Sequence, residues 1–201
     1  MQNSSKRQKN DLPRLAVTLC LIAGITAALV ALVNSVTAPE IARRNEQKTA
    51  QSLSAVMPDA DSFEQISSDI SSVTSSDGKE ISIDGIWSAF TDKELIGYCV
   101  KVGPKGYGGT IEMIVGVSSD GTITDTQIVS MSETSGIGTK IKSDEFLSQF
   151  IGKSGSVTGV SSTPAKDEIQ TISGATKSSK AFLRGVNAAL TVVSQIDGGD
   201  A

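Results

Sequence analysis

The stretch Ile172-Ser173-Gly174-Ala175-Thr176-Lys177-Ser178-Ser179 precedes the last amphipathic segment of the chain. Ser173, Gly174 and Ala175 are small, so a ligand can approach the backbone closely at this point. Thr176 is expected at or just before the first turn of a helix, where free N–H groups and the helix dipole favour a phosphate. A threonine hydroxyl placed there can accept a phosphoryl group. The same residues also suit an ordinary helix start with Ser173 as N-cap, and the residues alone leave both interpretations open.

Residues 176–196 are predicted to form the last helix. Apolar residues recur there at intervals of four, three, four and three, at Phe182, Val186, Ala189, Val193 and Ile196. This spacing places one apolar stripe along a helix. We therefore expect the helix to pack on a sheet formed by the preceding segments.

Upstream of the turn, short runs rich in β-branched and aromatic residues predict strands. These runs are residues 81–83, 85–90, 94–102, 111–117 and 123–131, with a hairpin turn at Asp120-Gly121 between the last two. They predict an antiparallel sheet of four or five strands. The other segments are predicted to be a surface loop or weak edge strand (66–77), a short helix (143–150), a loop (152–162) and a last short strand (168–172). Consecutive strands with helices added at the ends define an α+β domain.

The N-terminal part contains an apolar segment, residues 15–33, without a charged residue. At about 1.5 Å rise per residue it can cross a hydrocarbon core of roughly 30 Å, and we interpret it as one transmembrane helix. A cleaved signal peptide is the competing interpretation, because Val36-Thr37-Ala38 offers small residues for cleavage. The apolar run exceeds the roughly 7 to 15 residues of a signal-peptide core, which favours an anchor. Pro39 is expected to begin a helical stalk over residues 38–56.

The predicted organisation has four parts: a cytoplasmic N-terminus (1–14), a transmembrane helix (15–36), a helical stalk (37–60) and the α+β domain (61–201). The segment before the apolar run is basic, with Lys6, Arg7, Lys9 and Arg14 against Asp11. Because positive flanks stay in the cytoplasm, we predict a single-pass protein of the cytoplasmic membrane with the domain on the outer face.

Composition excludes several classes of function. Histidine is absent, which excludes Ser-His-Asp and Cys-His catalysis and histidine-ligated zinc or haem. The two cysteines, Cys20 and Cys99, form no C-x-x-C pair, so neither a structural disulfide nor a thiolate metal site is expected. A net charge of −4 argues against nucleic acid as a partner, because such binding needs clustered Lys and Arg.

Two glycine-spaced stretches accompany the turn, Gly106-Tyr107-Gly108-Gly109 and Glu133-Thr134-Ser135-Gly136-Ile137-Gly138-Thr139-Lys140-Ile141. Together with Ser173-Gly174-Ala175-Thr176, they resemble the covalently flavinylated FMN-binding domains. The resemblance extends over the anchor, the stalk and the whole domain. Within that family the chain resembles specifically the G subunit of the Rnf electron-transport complex, with the C subunit of the sodium-pumping NADH:quinone oxidoreductase as a near relative.

The resemblance implies a covalently bound FMN. In the family, a separate flavin transferase uses FAD and magnesium to attach FMN through its phosphate to a threonine hydroxyl, which here corresponds to Thr176. The turn before it and the second motif lie at the flavin, and they correspond to Ser173, Gly174, Ala175, Glu133, Thr134, Gly136, Ile137 and Gly138. This sequence departs from the family pattern at Ser135, where the family has proline, and at Gln170, where an acidic residue commonly precedes the turn.

Three further residues are assigned to the flavin with an alternative for each. Tyr107 and Gly108 are expected to border the flavin in a flexible loop, and the alternative is a plain connection between strands. Lys140 is expected to offset charge on the phosphate or on the reduced flavin, and the alternative is a solvated lysine.

The predicted function is that of a membrane-anchored flavoprotein that transfers electrons and catalyses no substrate turnover alone, since redox chemistry of this kind belongs to the cofactor. The resemblance implies a place among the membrane subunits of an Rnf-type ion-translocating ferredoxin:NAD oxidoreductase complex. One alternative is a flavinylated extracytoplasmic carrier outside such a complex. Another is a cofactor-free membrane-anchored binding module, which would be colourless.

Overall fold

The structure is a computed structural model that describes residues 4–136 and 138–198. The chain divides into two compact units, Met1–Gln47 and Lys48–Ala201. Helix α1, Ser4–Val56, forms the described part of the first unit, and its last residues belong to the second. Within Pro13–Val56, an 18-residue window has a mean hydropathy of 2.6, and none of it is buried. The long apolar N-terminal helix is therefore confirmed, and it is the one helix among the described residues that is long and apolar enough to cross a membrane.

The prediction that Pro39 begins a separate stalk helix is wrong, because α1 runs through it. Proline costs a helix interior about 3 kcal/mol, since it lacks an N–H and its ring meets the preceding turn. Helix-forming residues follow it at Glu40, Ala42 and Arg43, and the helix continues through the proline. The hydroxyl groups of Ser35 and Thr37 also donate to the carbonyls of Leu32 and Val33, at 2.8 and 2.9 Å, and so stay within the helix.

The second unit is built on a six-stranded sheet, and its strands are antiparallel, as the sequence predicted. Its strands are β1 (Ser62–Gln65), β2 (Ser72–Thr74), β3 (Glu80–Thr91), β4 (Glu94–Gly103), β5 (Ile111–Ser118) and β6 (Ile123–Met131). The order is β1-β3-β4-β5-β6, and β2 pairs with β3 beside β1.

The prediction differs from the structure in the number of strands. Residues 81–83 and 85–90 form one strand, β3, whose pairing with β4 is irregular between Ile83 and Gly85. Strand β1 was not predicted, and β2 lies in the segment predicted to be a loop or weak edge strand. Both are short and mostly polar, so their side chains contribute little to strand formation. Backbone pairing with β3 holds them in place.

After the sheet come α2 (Asp144–Leu147), a 3₁₀ turn (Ser148–Phe150), β7 (Thr158–Val160), β8 (Glu168–Gln170) and α3 (Thr176–Asp197). The predicted helix over 143–150 is therefore one short α-helix followed by a 3₁₀ turn. The segment 152–162 was predicted to be a loop, but it contains β7, which pairs with β8 in parallel. Helix α3 confirms the predicted last helix to within one residue at its end.

The core lies between the sheet and α3. Phe146, Phe150 and Phe182 are fully buried and contact one another, with ring centroids 5.1 to 5.5 Å apart. Burying each of these rings stabilises the fold by about 2–3 kcal/mol. The opposite face of the sheet is covered by the end of α1, where Leu53 and Val56 pack in a second cluster.

Strand register brings the candidate motifs to one end of the sheet. Ile111 at the start of β5 pairs with Met131 at the end of β6. The β4–β5 connection, residues 104–110, and the segment after β6, residues 132–143, therefore leave the sheet at the same end. Helix α3 packs on β4 and β5. Met113 of β5 lies in one core cluster with Phe182 and Val186 of α3. The N-terminus of α3 can therefore contact both segments.

Candidate functional site

The turn before α3 is held in one conformation by hydrogen bonds at both ends. The Ala175 amide donates to the Ile172 carbonyl at 3.0 Å, and Gly174 has φ +80°, which favours glycine. The Ser179 hydroxyl accepts from the Ile172 amide and donates to the Ala175 carbonyl, both at 3.1 Å. Ser179 is fully buried, so this fastening is shielded from water.

Helix α3 begins at Thr176 with Ala175 as its N-cap, so the interpretation of Ser173 as N-cap is wrong. An alanine side chain cannot accept the hydrogen bond that a capping serine would. The first amides of α3, at Thr176, Lys177 and Ser178, have no partner within the helix by its geometry. An anion is the acceptor that such a helix end favours, and the exposed Thr176 side chain stands beside it.

These residues form one wall of a cavity of about 420 Å³. Its lining residues are Tyr107, Glu133, Thr134, Gly138, Gly174, Ala175, Thr176, Lys177 and Ser178. They come from the β4–β5 connection, from the segment after β6 and from the start of α3. The volume lies within the range of roughly 300–1,000 Å³ that is usual for small-molecule sites.

Glu133 joins the three segments through its carboxylate. Its Oε1 accepts from the amides of Tyr107 at 2.8 Å and Gly108 at 3.4 Å. Its Oε2 accepts from the hydroxyl of Ser178 at 2.9 Å, and Ser178 is buried. Hydrogen bonds to a charged group are stronger than neutral ones. The Glu133 carboxylate therefore holds the loop of Tyr107 to the N-terminus of α3.

Glycines make room for this carboxylate. A Cβ at Gly106 would lie 1.8 Å from Oε1 of Glu133, and one at Gly138 would lie 2.5 Å from Oε2. A Cβ at Gly108 would lie 2.6 Å from the Ser132 carbonyl oxygen. Close packing on the Glu133 carboxylate therefore explains Gly106 and Gly138, while Gly108 leaves room for the backbone of Ser132.

Tyr107 and Lys177 face each other at the cavity. The ammonium nitrogen of Lys177 lies 4.9 Å from the centroid of the Tyr107 ring, within the range of a cation–π contact. Tyr107 is 67% exposed, which is unusual for an aromatic side chain and leaves one part of the ring free for a ligand.

A second attachment fastens the β4–β5 connection to α3. Arg184 donates to the Lys105 carbonyl at 3.2 Å and pairs with Asp77 at 3.3 Å. The hydrogen bond from Ser75 lowers the pKa of Asp77 below its usual value. Desolvation opposes this shift, and the charges of Arg184 and Lys79 add to it.

The structure places most of the predicted site residues together. Seven of them line the cavity: Tyr107, Glu133, Thr134, Gly138, Gly174, Ala175 and Thr176. Gly108 contacts Glu133 from outside the lining. Lys140 and Ser173 line a neighbouring cavity of about 410 Å³, and Gly136 is exposed with φ +78°. Ile137 lies outside the described residues.

Two lining residues, Lys177 and Ser178, were not predicted as site residues. Both directly follow Thr176, and a helix start at Thr176 places their amides in the same first turn. That adjacency was the signal available in the sequence.

Comparison with known proteins shows the family of both parts of the chain and a similar fold. Residues 106–191 match the FMN-binding domain family, and residues 4–56 match the RnfG N-terminal region. The solved structure of NqrC from Shewanella oneidensis is similar in fold, with a TM-score of 0.50 and 20% identity over 71% of this chain and 74% of that one.

Three curated relatives match along almost their whole length. The G subunit of the Na⁺-translocating ferredoxin:NAD⁺ oxidoreductase complex of Acetobacterium woodii is 34% identical over 91% of this chain and 92% of its own. The G subunit of the proton-translocating counterpart in Clostridium ljungdahlii is 30% identical over 96% and 97%. The G subunit of the ion-translocating oxidoreductase complex of Methanosarcina acetivorans is 30% identical over 94% and 97%.

The second unit is thus an FMN-binding domain that follows a membrane-anchor helix. The chain belongs to the family of G subunits of ion-translocating ferredoxin:NAD⁺ oxidoreductase complexes. The residues present fit an FMN phosphate, because the first amides of α3 need an acceptor and the Thr176 side chain stands at the same cavity.

Proposed function

We propose that this protein carries FMN bound covalently through its phosphate to Thr176 and transfers electrons within an Rnf-type ion-translocating ferredoxin:NAD oxidoreductase complex. FMN supplies the redox chemistry, and the chain positions the group and anchors it at the membrane. The observation that carries the proposal is the position of Thr176, an exposed hydroxyl at the first residue of α3 that lines the cavity shared by all three motifs.

The electrostatics of the α3 N-terminus support attachment through a phosphate. A phosphodiester carries one negative charge, which the unpaired first amides and the helix dipole favour. Lys177 lines the same cavity with an exposed side chain and adds a cation. Thr176 thus offers both a bonding oxygen and surroundings that suit the product.

The attachment step needs a separate flavin transferase with FAD as donor. The Thr176 oxygen forms a bond to the phosphorus on the flavin side of FAD, and the bond to the AMP half breaks. AMP leaves, and the hydroxyl proton passes to a base of the transferase. In this proposal the cavity residues Thr134, Gly138 and Tyr107 contact the flavin, while Ser173, Gly136, Ile137 and Lys140 border it.

We propose that α1 spans the cytoplasmic membrane once, with the N-terminus inside and the domain on the outer face. The basic residues before the apolar segment support this orientation, and the exposed apolar side chains of α1 suit a lipid environment. A covalent bond suits a carrier on that side of the membrane, because free FMN would be lost by dilution.

The test is intact mass and in-gel flavin fluorescence of the denatured full chain, produced in cells with an active flavin transferase. The wild type is expected to show a mass increase of one FMN less one water and a fluorescent band. Thr176→Ala should lose both completely, because no oxygen remains to bond the phosphorus.

Thr134→Ala is the matched control, because it removes a threonine hydroxyl from the same cavity. It should retain the adduct. Wild-type protein with neither adduct nor fluorescence would refute covalent attachment and favour a cofactor-free binding module, and an adduct that persists in Thr176→Ala would place the bond elsewhere.

A further inference from the structure

Charge is distributed unevenly in the unit Lys48–Ala201, which holds twelve Lys and Arg against nineteen Asp and Glu. The three segments that build the cavity, residues 104–109, 132–143 and 170–184, reverse this balance. They contain one acid, Glu133, and six basic residues: Lys105, Lys140, Lys142, Lys177, Lys180 and Arg184. The cavity therefore lies in a basic part of an otherwise acidic domain.

The five lysines of these segments, which we call the lysine rim, are available to a partner. All five are exposed. None of the ion pairs found in residues 4–136 and 138–198 involves them. Arg184 is different, because it pairs with Asp77 and is only 14% exposed. The one acid of the segments, Glu133, already accepts three hydrogen bonds from within the chain.

The members of the lysine rim lie at the cavity of the predicted attachment point or on the three segments that contribute residues to it. Lys177 lines the cavity and Lys140 its neighbour. Lys180 is four residues after Thr176 and so lies on the same side of α3. Lys105 lies two residues before Tyr107, and Lys142 ends the 3₁₀ turn Gly138–Lys142, whose first residue lines the cavity. Acidic residues resume at Asp144 and Glu145, and Glu145 also lines the neighbouring cavity, so the basic surface ends there.

The lysine rim carries more positive charge than a bound FMN requires. A phosphodiester has one negative charge, which the α3 N-terminus and a single lysine offset. Surplus cations concentrated at one place on an acidic protein attract and orient a partner of opposite charge. Contacts between electron-transfer proteins are small, so such steering has a large share in their association.

We propose that the lysine rim is the docking surface for an acidic face of the protein that exchanges electrons with this domain. This inference rests on the proposed function, because it assumes that the redox group lies in the rimmed cavity. It goes beyond that function by specifying where the partner binds and the sign of its charge.

The test uses the flavin-loaded full chain in neutral detergent micelles, reduced photochemically, with the acidic haem protein cytochrome b5 as oxidant. Each reduced flavin passes its two electrons to two cytochrome molecules, and its protons go to the buffer. Oxidation should slow several-fold as ionic strength rises from low to physiological. If the net charge of −4 alone governed the rate, oxidation would accelerate with salt, because salt weakens the repulsion between two acidic proteins. Oxidation by basic cytochrome c at this surface should instead accelerate as ionic strength rises, because the lysine rim repels it.

Two double charge reversals separate local from overall charge. Lys142→Glu with Lys180→Glu changes the lysine rim, and Lys93→Glu with Lys166→Glu makes the same change in net charge at exposed positions outside it. The first pair should slow oxidation by cytochrome b5 about tenfold at low salt and invert its salt dependence. The second pair should leave the sign of that dependence unchanged. Wild-type oxidation that accelerates with salt, or equal effects of both pairs, would overturn the proposal.

A second measurement needs no flavin. The chain has two tyrosines, so ¹⁵N-tyrosine labelling gives two amide signals. Paramagnetic anionic hexacyanochromate(III) should broaden Tyr107, beside the lysine rim, several-fold more than buried Tyr98, and the Lys142/Lys180 reversal should abolish the difference. Absence of this broadening in wild-type protein would refute the docking surface, whereas absence of an FMN adduct with broadening intact would refute only the proposed function.

Discussion

Two cavities of nearly equal volume, about 420 and 410 Å³, lie on either side of the turn at Ser173 and Gly174. The first contains Thr176 at a helix N-terminus and has walls joined by the Glu133 carboxylate. The second is lined by Lys140 and Ser173, and its polar contact is a side-chain amide, that of Gln149, bonded to the backbone of Gln170 at 2.7 and 3.5 Å. Volume therefore does not distinguish the site. The features that distinguish the site are a wall fixed by hydrogen bonds and a hydroxyl beside unpaired helix amides.

We expect the largest difference in the free energy of unfolding when the main hydrogen-bonding side chain of each cavity is removed. Glu133→Ala leaves the buried Ser178 hydroxyl without its acceptor and removes a charged hydrogen bond to the loop, at a cost of about 2–3 kcal/mol in the free energy of unfolding. Gln149→Ala, in the second cavity, should cost less than about 1 kcal/mol. Urea unfolding of the full chain, followed by the fluorescence of the single tryptophan, Trp87, measures both.

Glu133→Gln separates the position of this side chain from its charge. A glutamine oxygen can still accept from Tyr107, and its NH₂ can donate to Ser178. The variant should recover most of the stability, and amide exchange at Tyr107 should remain at least about tenfold slower than in Glu133→Ala. Equal exchange rates at Tyr107 in wild type and Glu133→Ala would show that the hydrogen bond does not hold the loop, and Tyr98 in β4 reports whether the fold is intact.

Adding one methyl group at the wall should have the next largest effect. Gly106→Ala places a Cβ 1.8 Å from the Glu133 carboxylate, so either the carboxylate or the loop must move. Either movement breaks the hydrogen bond to Tyr107, at a cost of about 1–3 kcal/mol and with loss of Tyr107 amide protection. Gly136→Ala has open space but φ +78°, and should cost about 1 kcal/mol of backbone strain while Tyr107 stays protected. Similar Tyr107 exchange in the two variants would contradict the clash.

The turn that separates the cavities is held by Ser179 and not by Ser173. Ser179→Ala removes the acceptor of the Ile172 amide and should cost about 1–2 kcal/mol. Ser173→Ala alters an exposed serine and should stay within about 0.5 kcal/mol. The same unfolding assay compares them, and a larger loss in Ser173→Ala would reverse the assignment.

The smallest expected effect concerns pH and the attachment of Arg184 to the β4–β5 connection. The pKa of Asp77 is lower in the folded protein, so its ionisation stabilises the fold above the unfolded pKa and this contribution is lost as pH falls through the folded pKa. Asp77→Asn should therefore be slightly less stable than wild type at neutral pH and equal to it in strong acid. A stability difference that does not change with pH would show that the charge of Asp77 has no part in it.

Much of the fold could be predicted because its signals are local. Alternation in residues 111–131, the Asp120-Gly121 turn and the apolar stripe of α3 each depend on residues a few positions apart. Strands β1 and β7 were missed, and β2 was predicted only as the alternative to a loop, because all three are short and owe their order to backbone pairing with other strands. Pro39 misled the prediction because a proline suits the first turn of a helix, whereas here it lies inside the continuous helix α1.

The sequence by itself determined which residues are available at the site: the threonine hydroxyl at a helix start, the glycines, and three motifs in order. Only the tertiary structure decided how they are used. Glu133 meets Tyr107 and Ser178, which are 26 and 45 residues away in the chain, and so serves as the joint between segments. Lys177 faces the cavity with Thr176, while Lys140 and Ser173 face its neighbour. The physical reason is that the side of a loop to which a side chain turns depends on strand register and on contacts with distant segments, and neither is encoded in local spacing.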